Sequence, residues 1–170
     1  MPSARPPTAR QLTAAARRLG NVLRRHGLQM ATAESCTGGL VGHVITEIPR
    51  SSDHYLGGVI SYSNLLKKQL LDVDPALLAR TGAVSPEVAE AMADGLLARF
   101  PVAGVAVAVT GIAGPDGGSA EKPVGLTYVA AVRRGGTARI ERAVWPHDRD
   151  GNKRASALLA LELAHAAASE

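Results

Sequence analysis

The chain has 170 residues, 46% of them apolar, and a formal charge of +4, which suits one domain able to bury roughly 70% of the surface that its unfolded form exposes. A lone cysteine, Cys36, excludes an internal disulfide, and no apolar run approaches the roughly 18 residues of a membrane span. Only Tyr55, Tyr62, Phe100, Tyr128 and Trp145 are aromatic, so the core falls to Ala, Val, Leu and Ile, and platforms for stacking single-stranded nucleic acid are poorly supplied.

Residues 1–8 carry charge and prolines but no following apolar stretch, which reads as a disordered tail and not a secretory signal. The remainder, 9–170, reads as a single domain. Leu12, Ala16, Leu19, Val22 and Leu23 recur at helical spacing over 8–26, with Gly27 placed as the C-terminal cap. This stretch also holds the charge excess. Arg5, Arg10, Arg17, Arg18, Arg24 and Arg25 precede the first acidic residue, Glu34, and the remaining 13 basic and 15 acidic residues leave the body of the chain at −2. Without a recognisable nucleic-acid motif, these arginines read as a solvated helix face.

Residues 28–33 predict a short buried strand, 34–39 a tight turn, and the next periodic run a helix ending near Ile48-Pro49. A second strand is expected over 57–62, then a helix over 64–71 and a further turn at 75–80. Ser85-Pro86-Glu87 predicts a helix start, with Ser as the cap, Pro preset for the first turn and Glu complementing the dipole; the helix should reach about Phe100. Residues 103–110 are almost wholly apolar, the pattern of a strand covered on both faces, so this strand belongs in the middle of the sheet. The runs 126–133 and 137–145 flank Gly135-Gly136 as a hairpin, and an Ala- and Leu-rich helix fills about 150–168. Strands alternating with helices, plus one hairpin, imply an α/β protein: a three-layer α/β/α sandwich with a mixed central sheet.

In such folds ligands collect where strand ends meet helix N-termini, and three segments compete for that edge. In Glu34-Ser35-Cys36-Thr37-Gly38-Gly39 a hydroxyl stands beside backbone N–H groups that could hold a developing oxyanion. Cys36 is a rival nucleophile there, because helix N-termini favour thiolates; spacing alone does not separate it from Ser35. In the second segment, Ser61 to Lys68, a lysine can serve as base to a serine only if burial lowers its pKa from about 10.4. With Leu65, Leu66, Gln69, Leu70 and Val73 taken as the inner face, Lys67 and Lys68 flank it almost symmetrically, and helical phase does not choose between them. The third segment is the glycine-rich run Gly111–Gly118, closed by Lys122-Pro123-Val124-Gly125, whose N–H groups could converge on phosphate. Downstream, Arg149 is placed to grip a phosphate bidentately or to pair with Asp148 or Asp150. The five histidines form no metal-ligand cluster.

Five blocks together resemble one family: Thr32 to Gly39; Tyr62-Ser63-Asn64 with Lys67; Gly82-Ala83-Val84-Ser85; Thr110 to Gly118; and Lys122 to Gly125. They are similar, in order and spacing, to the CinA C-terminal domain, found also as a stand-alone nicotinamide-nucleotide amidase of the PncC type. The resemblance implies hydrolysis of the carboxamide of nicotinamide mononucleotide to nicotinate mononucleotide and ammonia, with no metal and no cofactor. Carried onto matching positions, it implies Ser35 as nucleophile, Lys67 as general base and Tyr62 as the group that orients or polarises the pair. It further implies substrate contacts from Thr37, Gly38, Gly39, Ser52, Thr110, Gly111, Gly114 and Arg149, with the glycine-rich loop receiving the phosphoribosyl part. A cytoplasmic homo-oligomer is expected, with a small nucleotide, and neither membrane nor nucleic acid, as its partner. Two other readings stay open: a nucleotide-binding module without catalysis, and a competence- or DNA-damage-associated protein.

Overall fold

The computed structural model describes residues 5–170, so part of the expected tail, 1–4, lies outside the described residues. The first helix, α1 (Ala9–His26), begins with a reciprocal cap in which the Thr8 side chain accepts from the Gln11 amide while the Gln11 side chain accepts from the Thr8 amide, and it ends on Gly27. There follow β1 (Met30–Glu34), α2 (Leu40–Thr46), a 3-10 turn at Ser51–Asp53, β2 (Tyr55–Ile60), α3 (Asn64–Leu71) and α4 (Pro75–Thr81). The chain is completed by α5 (Pro86–Arg99), β3 (Val105–Gly111), β4 (Leu126–Arg133), β5 (Arg139–Val144) and α6 (Arg149–Ala168). The turn expected at 75–80 is therefore a helix. Asp74 accepts from the Ala76 amide and Pro75 occupies its first turn, the same cap-then-proline signature that announces α5.

The sheet runs in the order β2-β1-β3-β4-β5, parallel across β2, β1 and β3 and antiparallel from β3 to β5. It is the mixed sheet of a three-layer sandwich, with β3 in its centre. Side chains alternate across a strand, and β3 divides its residues by size. Val105, Val107 and Val109 join the core under α1 and α6, whereas Ala106 and Ala108 join the core under α5. Small residues on the second face let α5 approach closely.

The same closeness governs the contact between α5 and α3. A methyl group on Gly95 would stand 2.0 Å from the Leu71 carbonyl oxygen, a backbone atom that cannot step aside. Gly95→Ala is accordingly expected to lower stability by about 2–3 kcal/mol, read as a lower midpoint in chemical denaturation. Because β2, β1 and β3 are parallel, their C-terminal ends deliver Ser61, Ser35 and Gly111 to one edge of the sheet, where α6 also begins. Among the described residues no helix is long and apolar enough to cross a membrane.

Candidate active site

Ser35 follows β1 directly, and its amide donates to the Val109 carbonyl of β3 at 3.0 Å, which continues the sheet ladder one residue past the strand. The Ser61 amide is tied in the same way to the Glu34 carbonyl at 2.9 Å. Both segments therefore inherit the rigidity of the sheet. Lys67, on α3, is fully buried, and its Nζ stands 2.9 Å from Ser35 Oγ. The ammonium also donates to the Ser61 carbonyl at 2.7 Å and approaches the Tyr62 carbonyl at 3.4 Å.

Burial pushes the Lys67 amine down from 10.5 to about 8, because an ammonium loses its hydration there. Burial acts on Cys36 in the opposite sense and pushes its thiol up to about 12. The neighbouring Glu34 charge adds to that rise, and the cysteine's own amide offsets only part of it. Between the two candidate nucleophiles, the hydroxyl has a base in contact and the thiol is held protonated. The choice between lysines is equally clear in space: Lys67 and Leu71 are buried, Leu66 and Leu70 half-buried, while Lys68 is exposed and Leu65 is 61% exposed. Leu65 and Gln69, expected to face inward, point to solvent.

A cavity of about 260 Å³ opens at this edge. Ser35, Tyr62 and Lys67 line it together with Thr110, Gly111, Gly114 and Arg149, so these expected site residues share one space. Their hydroxyls are used in ways that sequence did not indicate. Tyr62 is 60% exposed, and its hydroxyl accepts from Arg149 Nη2 at 3.3 Å instead of meeting the dyad. Arg149 Nη1 donates to the Gly114 carbonyl at 2.6 Å. Thr110 Oγ1 donates to the Ala83 carbonyl at 2.7 Å and so fixes the wall formed by Ala83 and Val84. Lys122 holds that wall from outside through the Thr81 carbonyl and, at 2.8 Å, the Val84 carbonyl.

Ser52 does not join them. It lies in the 3-10 turn before β2, hence at the opposite end of a parallel strand pair, with roughly 20 Å of six-residue strand between. A larger hollow of about 560 Å³ lies at that far edge, between Arg24, Leu28 and Arg50, and contains no nucleophile paired with a base.

The turn between Ser35 and α2 supplies fewer amides than its sequence suggests. The Gly38 amide closes the turn on the Ser35 carbonyl, and the Leu40 amide closes on that of Thr37. The amides of Gly39, Val41 and Gly42 all donate to the Glu34 carboxylate, at 3.0, 3.1 and 2.9 Å. Of this run, the amides of Cys36 and Thr37 are not committed to any other residue. Within the segment Glu34 to Gly39, the amides able to hold a developing oxyanion therefore narrow to those of Cys36 and Thr37. Thr37 and Gly38 stand beside the dyad but do not line the cavity, and Thr37 Oγ1 is buried without a partner.

Glu34 is the residue shaping this turn that pattern reading passed over. Its carboxylate caps α2 from the preceding strand because Gly39, the residue at the cap position, has a left-handed backbone (φ 99) and no side chain to offer. A helix whose cap is glycine, five residues after a buried acid, is the signal that could have found it. Glu34→Ala should cost about 3 kcal/mol of unfolding free energy, measured by denaturant titration, since it strands three amides at the helix start, that of Val41 fully buried and those of Gly39 and Gly42 half-buried.

Against known proteins, residues 12–168 match the family model described as the CinA C-terminal domain. The chain is 54% identical over 113 residues to a CinA-like protein of Desulfotalea psychrophila, covering 66% of this chain and 27% of that protein. It is 46% identical over 144 residues to a CinA-like protein of Geotalea uraniireducens, covering 85% and 34%. The chain thus spans about a third of the length of these curated relatives or less. Among solved structures, the competence/damage inducible protein CihA of Agrobacterium tumefaciens superposes with a TM-score of 0.87 at 42% identity, over 94% of this chain and 95% of that one. A CinA superfamily protein of Klebsiella pneumoniae gives 0.87 at 27% identity, over 93% and 98%.

Proposed function

Since the chain belongs to the CinA C-terminal domain family, we propose that its Ser35–Lys67 pair hydrolyses the carboxamide of nicotinamide mononucleotide, forming nicotinate mononucleotide and ammonia. The observation that carries this reading is a fully buried lysine, brought down to about 8, at 2.9 Å from a serine hydroxyl. Once Lys67 has lost a proton, its lone pair can accept the Ser35 hydroxyl hydrogen, and Ser35 Oγ attacks the carboxamide carbon. The charge that develops on the carboxamide oxygen falls to the Cys36 and Thr37 amides. Lys67, now an ammonium, passes its proton to the departing nitrogen; ammonia leaves and an acyl ester remains on Ser35. A water molecule, deprotonated by Lys67, then attacks that ester, and the proton returns to Ser35 as the product leaves as its carboxylic acid, which ionises to the carboxylate by losing its proton to solvent.

Selection of a nucleotide is assigned to the opposite wall. The Arg149 guanidinium reaches the cavity beside the glycine-rich loop, and Asp116 and Gly117 of that loop face the same space. A cation and a loop of backbone amides suit a phosphate. The test is direct. Purified protein incubated with nicotinamide mononucleotide should release ammonia and nicotinate mononucleotide in equal amounts, and a folded protein that releases neither would overturn the proposal.

A further inference from the structure

Arg149 and the glycine-rich loop are held together by a residue that the mechanism does not use. Asn152 lies one helical turn after Arg149 on α6 and is 1% exposed. Its Nδ2 donates to the Ala113 carbonyl at 3.0 Å, and its Oδ1 accepts from the His147 amide at 3.1 Å. The two partners fix the orientation of the side-chain amide, since a carbonyl can only accept and a backbone N–H can only donate.

Consecutive loop carbonyls are therefore stitched to the first turn of one helix: Ala113 to Asn152, and Gly114 to Arg149. Below this stitch the same helix face continues the polar contacts. Ser156 Oγ donates to the Asn152 carbonyl at 2.8 Å, accepts from Trp145 Nε1 at 3.1 Å and bonds Thr127 Oγ1 at 2.9 Å. The helix start is itself crowded into place. A methyl on Gly151 would meet His147 Cβ at 2.6 Å and Pro6 Cβ at 3.0 Å. The loop that forms one wall of the cavity and the linker from β5 thus share a single side-chain amide as their common anchor, and the cation that faces the cavity is tied to the same loop one residue on, at the Gly114 carbonyl.

We infer that Asn152 is a positioning residue, which sets the glycine-rich loop against α6 so that Arg149 and the loop amides present one preformed surface to the substrate's phosphoribosyl part. It touches no reacting atom, so it acts on binding and leaves the chemistry at Ser35 alone. Its effect on kinetics rests on the amidase reading; its effect on the loop does not.

The experiment has an arm for each. In Asn152→Ala and in Asn152→Asp, which keeps the shape and the acceptor for His147 but loses the donor to Ala113, amide hydrogen exchange across 111–118 should accelerate by about tenfold or more. In Ser156→Ala, which breaks the same network without touching the loop, exchange there should stay near wild type. Should Asn152→Ala not fold, Asn152→Asp carries the measurement alone. In ammonia release, KM should rise by about tenfold with kcat within about twofold. Arg149→Ala added to Asn152→Ala should raise KM by less than the product of the two single effects. Unchanged exchange in the folded Asn152 variants, or KM effects that multiply in full, would overturn the inference. A wild-type protein without turnover would overturn the amidase reading and still leave the exchange arm to decide this one.

Discussion

Ser35→Ala is expected to lower ammonia release from nicotinamide mononucleotide by at least about 10³-fold, while Cys36→Ala retains activity within about threefold of wild type. The two residues are neighbours on one turn, so the contrast tests chemistry and not location. With its thiol pushed up to about 12 by burial, Cys36 is held as the protonated thiol near neutral pH, which is not the nucleophilic form. Its packing against the close-set Gly111, where an added methyl would meet the sulfur at 3.1 Å, gives it a reason to be small and apolar. Ser35 has the opposite surroundings: 7% exposed, in contact with a base, and next to the two uncommitted amides of the turn. Both variants should melt within a few degrees of wild type, which separates a lost nucleophile from a lost fold. A Ser35→Ala protein with a tenth of the wild-type rate would remove Ser35 from its role.

What could be read from the sequence follows from which interactions are local. The central position of β3 is written in its unbroken apolar run, and the Ser85-Pro86 start of α5 is a cap whose partner, the Val88 amide, lies three residues away. Motif resemblance placed Ser35 and Lys67 as partners although 32 residues separate them. Pattern alone could not: on α3, apolar Leu65 faces solvent and charged Lys67 faces the core, the reverse of what amphipathic spacing assumes. In the proposed mechanism this inversion is the functional feature, because a lysine that serves as base has to be buried at a cost in stability that no packing rule would select. Ser52 was misplaced for a topological reason, since only the parallel pairing of β1 and β2 shows that a residue before β2 and a residue after β1 occupy opposite edges. Asn152 was invisible because it works on backbone groups of another segment, which leaves no residue-type signature at the receiving end.

Catalysis should switch on with rising pH, with kcat/KM half-maximal near the Lys67 value of about 8 and about a tenth of its plateau near pH 7. The direction follows from the chemistry: only the neutral amine can take the Ser35 proton, and burial removes the hydration that favours the ammonium. Lys67→Arg should be inactive across the whole range, because a guanidinium does not deprotonate there. Stability has to move with the same group. The folded-state value lies below the ordinary 10.5, so the unfolded chain binds more protons between about 8 and 10.5. Stability contributed at this site is full above that window and is lost as pH falls through it. The unfolding free energy of wild type relative to Lys67→Met should therefore climb between pH 8 and 10, at a slope approaching about 1.4 kcal/mol per pH unit for one proton. Denaturant titrations of both proteins at several pH values give that difference directly. A flat difference, together with a rate profile that does not rise near pH 8, would mean that Lys67 stays charged in the fold. It could not then be the base, whatever its distance from Ser35.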